Sequence, residues 1–164
     1  MAPLRPAPDW RIAHWLNTGD PLSLAALKGR TIFAVAFQML CPGCVSHGLP
    51  QALRVRAAFR EADLAVVGLH TVFEHHDAQG PPVALSAFLR EYRIGFPVGV
   101  DAAAPEGGPP LTMRAYQMQG TPTTLLIDRE GRLRLQQFGH VDDLRLGASI
   151  ATILAEPTFG GVAG

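Results

Sequence analysis

Apolar and polar positions fall in blocks along this chain, and the blocks change period. TIFAVAF (31–37) is apolar almost without a break and β-favouring, which predicts a strand buried on both faces. LAVVGLHTV (64–72) reads the same way. Between them, a helix is predicted from about Pro42 to Phe59. Pro42 suits its first turn, whereas Pro50 falls inside it and predicts a kink or an interruption. PVALSAFLREYR (82–93) places Val83, Leu85, Phe88, Leu89 and Tyr92 at helical spacing. RIAHWL (11–16) reads as a short leading strand, FPVGVD as a short extended piece and LTMRAYQM as a short helix. DAAAPEGGPP has the composition of a surface loop. TTLLID and RLRLQQFG flank the turn sequence DREG as an antiparallel hairpin, and DDLRLGASIATILAE closes the chain as an amphipathic helix. This order predicts an α/β fold: a central mixed β-sheet with helices on both faces.

Composition narrows the class. The chain has 164 residues, the length of one domain, so a single unit over 1–164 is expected, with Pro-rich residues 1–9 loose at its start. Hydrophobic residues make up 48% and charged residues 17%, enough to build a core and too apolar for disorder. The formal net charge is zero, which gives no general attraction to nucleic acid or to an anionic membrane. No apolar run approaches the ~18 residues that span a bilayer, and the N-terminus lacks the pattern of a signal peptide. The expected location is cytoplasmic, or periplasmic for a chain whose leader had been removed. In a reducing cytosol a disulfide is transient and catalytic more often than structural.

Both cysteines lie in FQMLCPGCVSH, directly after the first core strand. Such a pair can grip a metal, attack a peroxide or trade electrons as a dithiol. A Cys-x-x-Cys pair beside a βαβ pattern favours the dithiol. Cys41 falls at or just before the first helical turn, where unpaired N–H groups and the helix dipole favour a thiolate. Cys44 lies one turn further in, shielded and facing back. Cys41 is therefore the expected nucleophile and Cys44 the resolving thiol. The alternative is a pair of buried packing cysteines.

FAVAFQMLCPGC followed by GTPTTLLIDREGRL resembles the thioredoxin superfamily, and within it the TlpA/ResA-like, redoxin-type members. The resemblance covers roughly residues 20–155 and includes LSLAALKGR and YRIGFPV. It implies a thioredoxin-like fold and thiol-disulfide oxidoreductase activity. It also implies a cis Thr121–Pro122 bond in a loop beside the dithiol, and a docking surface made by Leu40, Pro42, Thr121 and Pro122. No cofactor beyond the Cys41–Cys44 couple is implied. Expected partners are protein or low-molecular-weight thiols and disulfides, with an unidentified electron donor. Three departures stand out. Leu40 replaces the usual Trp, the dipeptide is Pro42-Gly43 where thioredoxin has Gly-Pro, and Val35 stands where thioredoxins bury an Asp.

With no carboxylate at Val35, His47 is a candidate proton acceptor for Cys44. It lies three residues on, which on an α-helix is the same face. The alternative is a solvated helix histidine. His70 ends a strand and His75-His76 sit in the following loop; one of these with Cys41, Cys44 and His47 would make a zinc site, although a second close ligand pair is not obvious. His14 and His140 read as surface or packing residues, and Trp10 and Trp15 as cover for the sheet edge. Competing functions are a peroxiredoxin-type peroxidase and a non-catalytic zinc-binding or interaction module. The peroxidase motif expects Thr and Pro where this chain has Gln38 and Ala34.

Overall fold

A computed structural model of the protein describes residues 4–158. The strands are β1 (Ile12–Leu16), β2 (Thr31–Phe37), β3 (Leu64–His70), β4 (Val98–Asp101), β5 (Thr123–Ile127) and β6 (Leu133–Phe138). Among the described residues they form one six-stranded sheet in the order β1-β4-β3-β2-β5-β6. β2 pairs parallel to β3 and antiparallel to β5, so the strand that leads into the cysteines is central. β3 pairs parallel to β4, while β1 and β6 are antiparallel edges. The sheet is mixed, as the element order predicts.

The unbroken apolar runs feed two cores. Phe33, Val35 and Phe37 of β2, with Leu64 and Val66 of β3, face one side, where Leu49, Leu85, Leu89, Leu146 and Ile150 of the helices cover them. Ile32, Ala34 and Ala36, with Ala65, Val67 and Leu69, face the other, beneath Trp10, Leu24, Met113 and Tyr116. With both faces covered, strict polar alternation would bury unpaired polar groups, and the sequence avoids it. The helices are α1 (Leu49–Ala58), α2 (His76–Gln79), α3 (Pro82–Glu91), α4 (Leu111–Ala115) and α5 (Asp143–Ala155).

Two local features differ from the sequence expectation. The N-terminal segment is not loose over its described part. Leu133 N–H donates to the Arg5 carbonyl, Ala7 N–H to that of Gly131, and the Tyr116 hydroxyl to that of Pro8 at 2.6 Å. Tyr116 and Trp10 are buried there, and that apolar cover outweighs the entropy of a free end. Residues 1–3 of the segment lie outside the described residues. The loop after β3 contains a helix, α2, entered through His75 in the left-handed region at φ 50°. Four residues carry too little periodicity to announce such a helix.

Pro50 acts as expected, with a specific outcome. The helix that begins at Pro42 continues into α1 through a π-helical turn at Cys44–Gly48. Proline has no N–H, and its ring clashes with the carbonyl four residues back. Widening the ladder removes that conflict, and Leu49 N–H donates to the Cys44 carbonyl, five residues back.

Candidate active site

The site lies at the carboxyl end of β2. Cys41 and Cys44 are joined by a disulfide, with Cα atoms 5.2 Å apart. Cys41 keeps 8% of its surface exposed and Cys44 none, so an incoming molecule meets Cys41 first. The Cys44 N–H donates to the Cys41 sulfur at 3.2 Å. In the reduced protein this donor, together with the helix start, favours a thiolate on Cys41. Cys44 belongs to the apolar core cluster that also holds Val35, Phe37 and Leu49, and burial in apolar surroundings favours the neutral thiol.

The Thr121–Pro122 peptide bond is cis. The Thr121 carbonyl oxygen lies 3.4 Å from the Cys41 sulfur. Pro122 lies over the start of the helix, because a Cβ on Gly43 would meet its Cδ at 3.4 Å. The loop is held from behind by Gly139 N–H, which donates to the Pro122 carbonyl at 2.8 Å. Four sequence-chosen residues, Cys41, Cys44, Thr121 and Pro122, are thus brought together. Leu40 and Pro42 are exposed beside them, Leu40 by 53%. Phe138 is 51% exposed and its ring packs against Gly120, just before the proline loop.

His47 follows Cys44 within the π turn. The His47 ring packs on that of His140, with centroids 3.7 Å apart, and its Nε2 is buried without a hydrogen-bond partner. Asp143 lies close by. Hydrogen bonds from Arg54 and then Gln51 hold its carboxyl below the usual carboxylate range, and His47 adds a small contribution of the same sign. Among the described residues no group of three or more His, Cys, Asp or Glu is placed to share a metal ion.

Three residues of the site escaped sequence reasoning: Gly48, Gln38 and Gln79. A Cβ on Gly48 would meet Pro122 Cβ at 2.9 Å and Val35 Cγ2 at 3.6 Å. The helix can approach the proline loop only because this residue has no side chain. Gly48→Ala is expected to push the loop off the helix and to cost about 1–3 kcal/mol, the range for overpacking. Thermal denaturation checks this; an unchanged melting temperature means the contact relaxes freely. The only available signal was a glycine inside a helical pattern.

No protein-family model matches the chain. Among solved structures, a crystal structure of a thioredoxin-like superfamily protein is 58% identical, with a TM-score of 0.90; the match covers 93% of this chain and 97% of that one. The chain belongs to the thioredoxin-like superfamily. A second superfamily structure, of a thiol-disulfide isomerase from Corynebacterium glutamicum, is 44% identical at a TM-score of 0.88, over 95% of this chain and 98% of that one. More distant relatives are the thiol-disulfide oxidoreductase ResA of Bacillus cereus, 24% identical over 115 residues, and the protein DipZ of Mycobacterium bovis, 27% identical over 139 residues. Those matches cover 70% and 83% of this thioredoxin-like chain, but the chain spans only 58% of ResA and 19% of DipZ. Among its described residues no helix is long and apolar enough to cross a membrane.

Proposed function

We propose that the protein is a thiol-disulfide oxidoreductase whose Cys41–Cys44 couple exchanges electrons with protein or small-molecule disulfides. The observation that carries this reading is the asymmetric pair: one sulfur at the surface against the cis-proline loop, the other fully buried behind it. In the reducing direction the Cys41 thiolate attacks one sulfur of a partner disulfide. A mixed disulfide forms and the partner's other sulfur leaves as a thiolate. The Cys44 thiolate then attacks the Cys41 sulfur and expels the second partner thiol. Two electrons have passed to the partner, and the protein is left as the disulfide described above. A separate thiol donor must reduce it again.

Thr121, Pro122, Leu40 and Pro42 form the docking surface in this reading. Among the described residues the Thr121 N–H and C=O make no backbone hydrogen bond, which leaves them to pair with an extended partner segment. Insulin reduction with dithiothreitol as donor tests the activity. The potential of the 41–44 couple decides whether the protein reduces or oxidises partners in its compartment. Cell fractionation checks whether that compartment is the cytoplasm or the periplasm.

His47 is the acceptor of the Cys44 proton in this proposal. What supports it is a buried Nε2 that makes no hydrogen bond, with the Asp143 carboxylate close by. His47→Ala is expected to slow resolution by roughly 10²-fold or more, while attack by Cys41 changes less. Stopped-flow measurement of the two steps checks it; equal resolution rates assign the proton to water.

A further inference from the structure

Gln38 ends the central strand region three residues before Cys41 and is fully buried, and Gln79 at the end of α2 is 1% exposed. A buried primary amide is costly unless its donors and acceptor are satisfied. Here the two amides satisfy each other and three loops. Leu40 N–H donates to Gln79 Oε1 at 3.0 Å. Gln79 Nε2 donates to Gln38 Oε1 at 3.0 Å and to the Glu74 carbonyl at 2.7 Å. Phe73 N–H also donates to Gln38 Oε1, at 3.2 Å. Gln38 Nε2 then donates to Thr121 Oγ1 at 3.2 Å and lies 3.5 Å from the Glu74 carboxylate.

The direction of this chain follows from its ends. The Leu40 and Phe73 N–H groups can only donate, so each must face an amide oxygen, and neither glutamine can flip. The nitrogen of Gln38 therefore faces Thr121. With Oγ1 accepting from it, the Thr121 hydroxyl proton is free to point elsewhere. Among the described residues none accepts it, and Thr121 is partly exposed beside the Cys41 sulfur.

We infer that Gln38 and Gln79 are positioning residues for disulfide exchange, forming one directional hydrogen-bond chain that holds the peptide before Cys41 and turns the Thr121 hydroxyl proton toward the docked partner. This rests on the exchange reading proposed above. The chain joins the two walls of the dithiol cleft, the Leu40–Cys41 segment and the Thr121–Pro122 loop, through the interior. It gives an extended peptide partner a fixed hydroxyl donor, which a partner carbonyl can accept.

The test uses Gln38→Met, Gln79→Met and Thr121→Val, with a synthetic peptide disulfide as substrate and dithiothreitol as donor. Methionine keeps the length and flexibility of the side chain and removes the amide. Gln38→Met is expected to raise KM about tenfold, the scale of one lost hydrogen bond, with alkylation of the reduced Cys41 by iodoacetamide changed by less than about twofold. Thr121→Val should raise KM by a similar factor, and the double variant no further, since both break the same link. An unchanged KM in Gln38→Met, or factors that multiply in the double variant, overturns the proposal. Gln79→Met provides a readout that needs no turnover: hydrogen exchange at the Leu40 amide should speed up about tenfold or more, and unchanged protection overturns the chain. A wild-type protein that reduces no peptide disulfide removes the exchange reading and this proposal with it. Wild-type turnover with unaltered variants removes the proposal alone.

Discussion

Replacing Cys41 by serine is expected to lower disulfide reduction by roughly 10³-fold or more, to the background of uncatalysed exchange. Replacing Cys44 is expected to have a different effect. Cys44→Ser should attack once and then stall, accumulating a mixed disulfide with its partner that mass spectrometry detects. The distinction follows from burial and from one hydrogen bond. Cys41 reaches the surface and accepts the Cys44 N–H at 3.2 Å, so its charged form is stabilised and accessible. Cys44 is fully buried in the apolar core, away from an incoming partner, and bonded to the Cys41 sulfur it would attack. Alkylation of the reduced protein at neutral pH provides the decisive comparison. Faster modification of Cys44 than of Cys41 would reverse the assignment.

The second large effect is on stability in acid. His70, the last residue of β3, is 1% exposed, packs at 5.2 Å against the ring of Phe37, and has an Nε2 with no partner. Burial, with a smaller contribution from His14, pushes it down from 6.5 to about 4. Above pH 6.5 the ring is neutral in both folded and unfolded chains and costs nothing. As pH falls from 6.5 toward 4, the unfolded chain takes up a proton that the folded one refuses, and stability drops. Below about pH 4 both forms are protonated and the loss is complete. A gap of that size is worth about 3 kcal/mol, a large part of the ~5–15 kcal/mol that holds a domain together. Urea denaturation at pH 7 and pH 4.5 measures it. His70→Leu should flatten the profile within this window, since an apolar side chain there leaves no nitrogen to protonate. An equally steep profile in the variant would place the acid sensitivity in other groups.

The dithiol was readable because its chemistry is local. Two cysteines at that spacing, after a buried strand and before a helix, have few other uses. The cis bond at Thr121–Pro122 could be anticipated only through a family resemblance, since nothing in GTPT by itself separates cis from trans. Gln38 illustrates what stays hidden. In the sequence it marks only a missing peroxidase threonine, and its role as a buried link depends on Gln79, forty-one residues away. His47 is a different case. Its spacing from Cys44 suggests a shared face on an α-helix, but the segment between them is a π turn, and no local pattern announces the stacking of the His47 ring on His140.

The sequence by itself determined the order of strands and helices, the two-sided burial of β2 and β3, and the position of the cysteines at a helix start. These follow from hydrophobic period, β-branching and proline, which act on neighbours along the chain. Only the tertiary structure decided which cysteine is sealed, why Gly48 can have no side chain, where His47 and His70 find their surroundings, and how two glutamines join the walls of the cleft. Those properties depend on burial and on hydrogen bonds between segments distant in sequence. Such contacts form only after the sheet has brought the segments together, so no local pattern announces them.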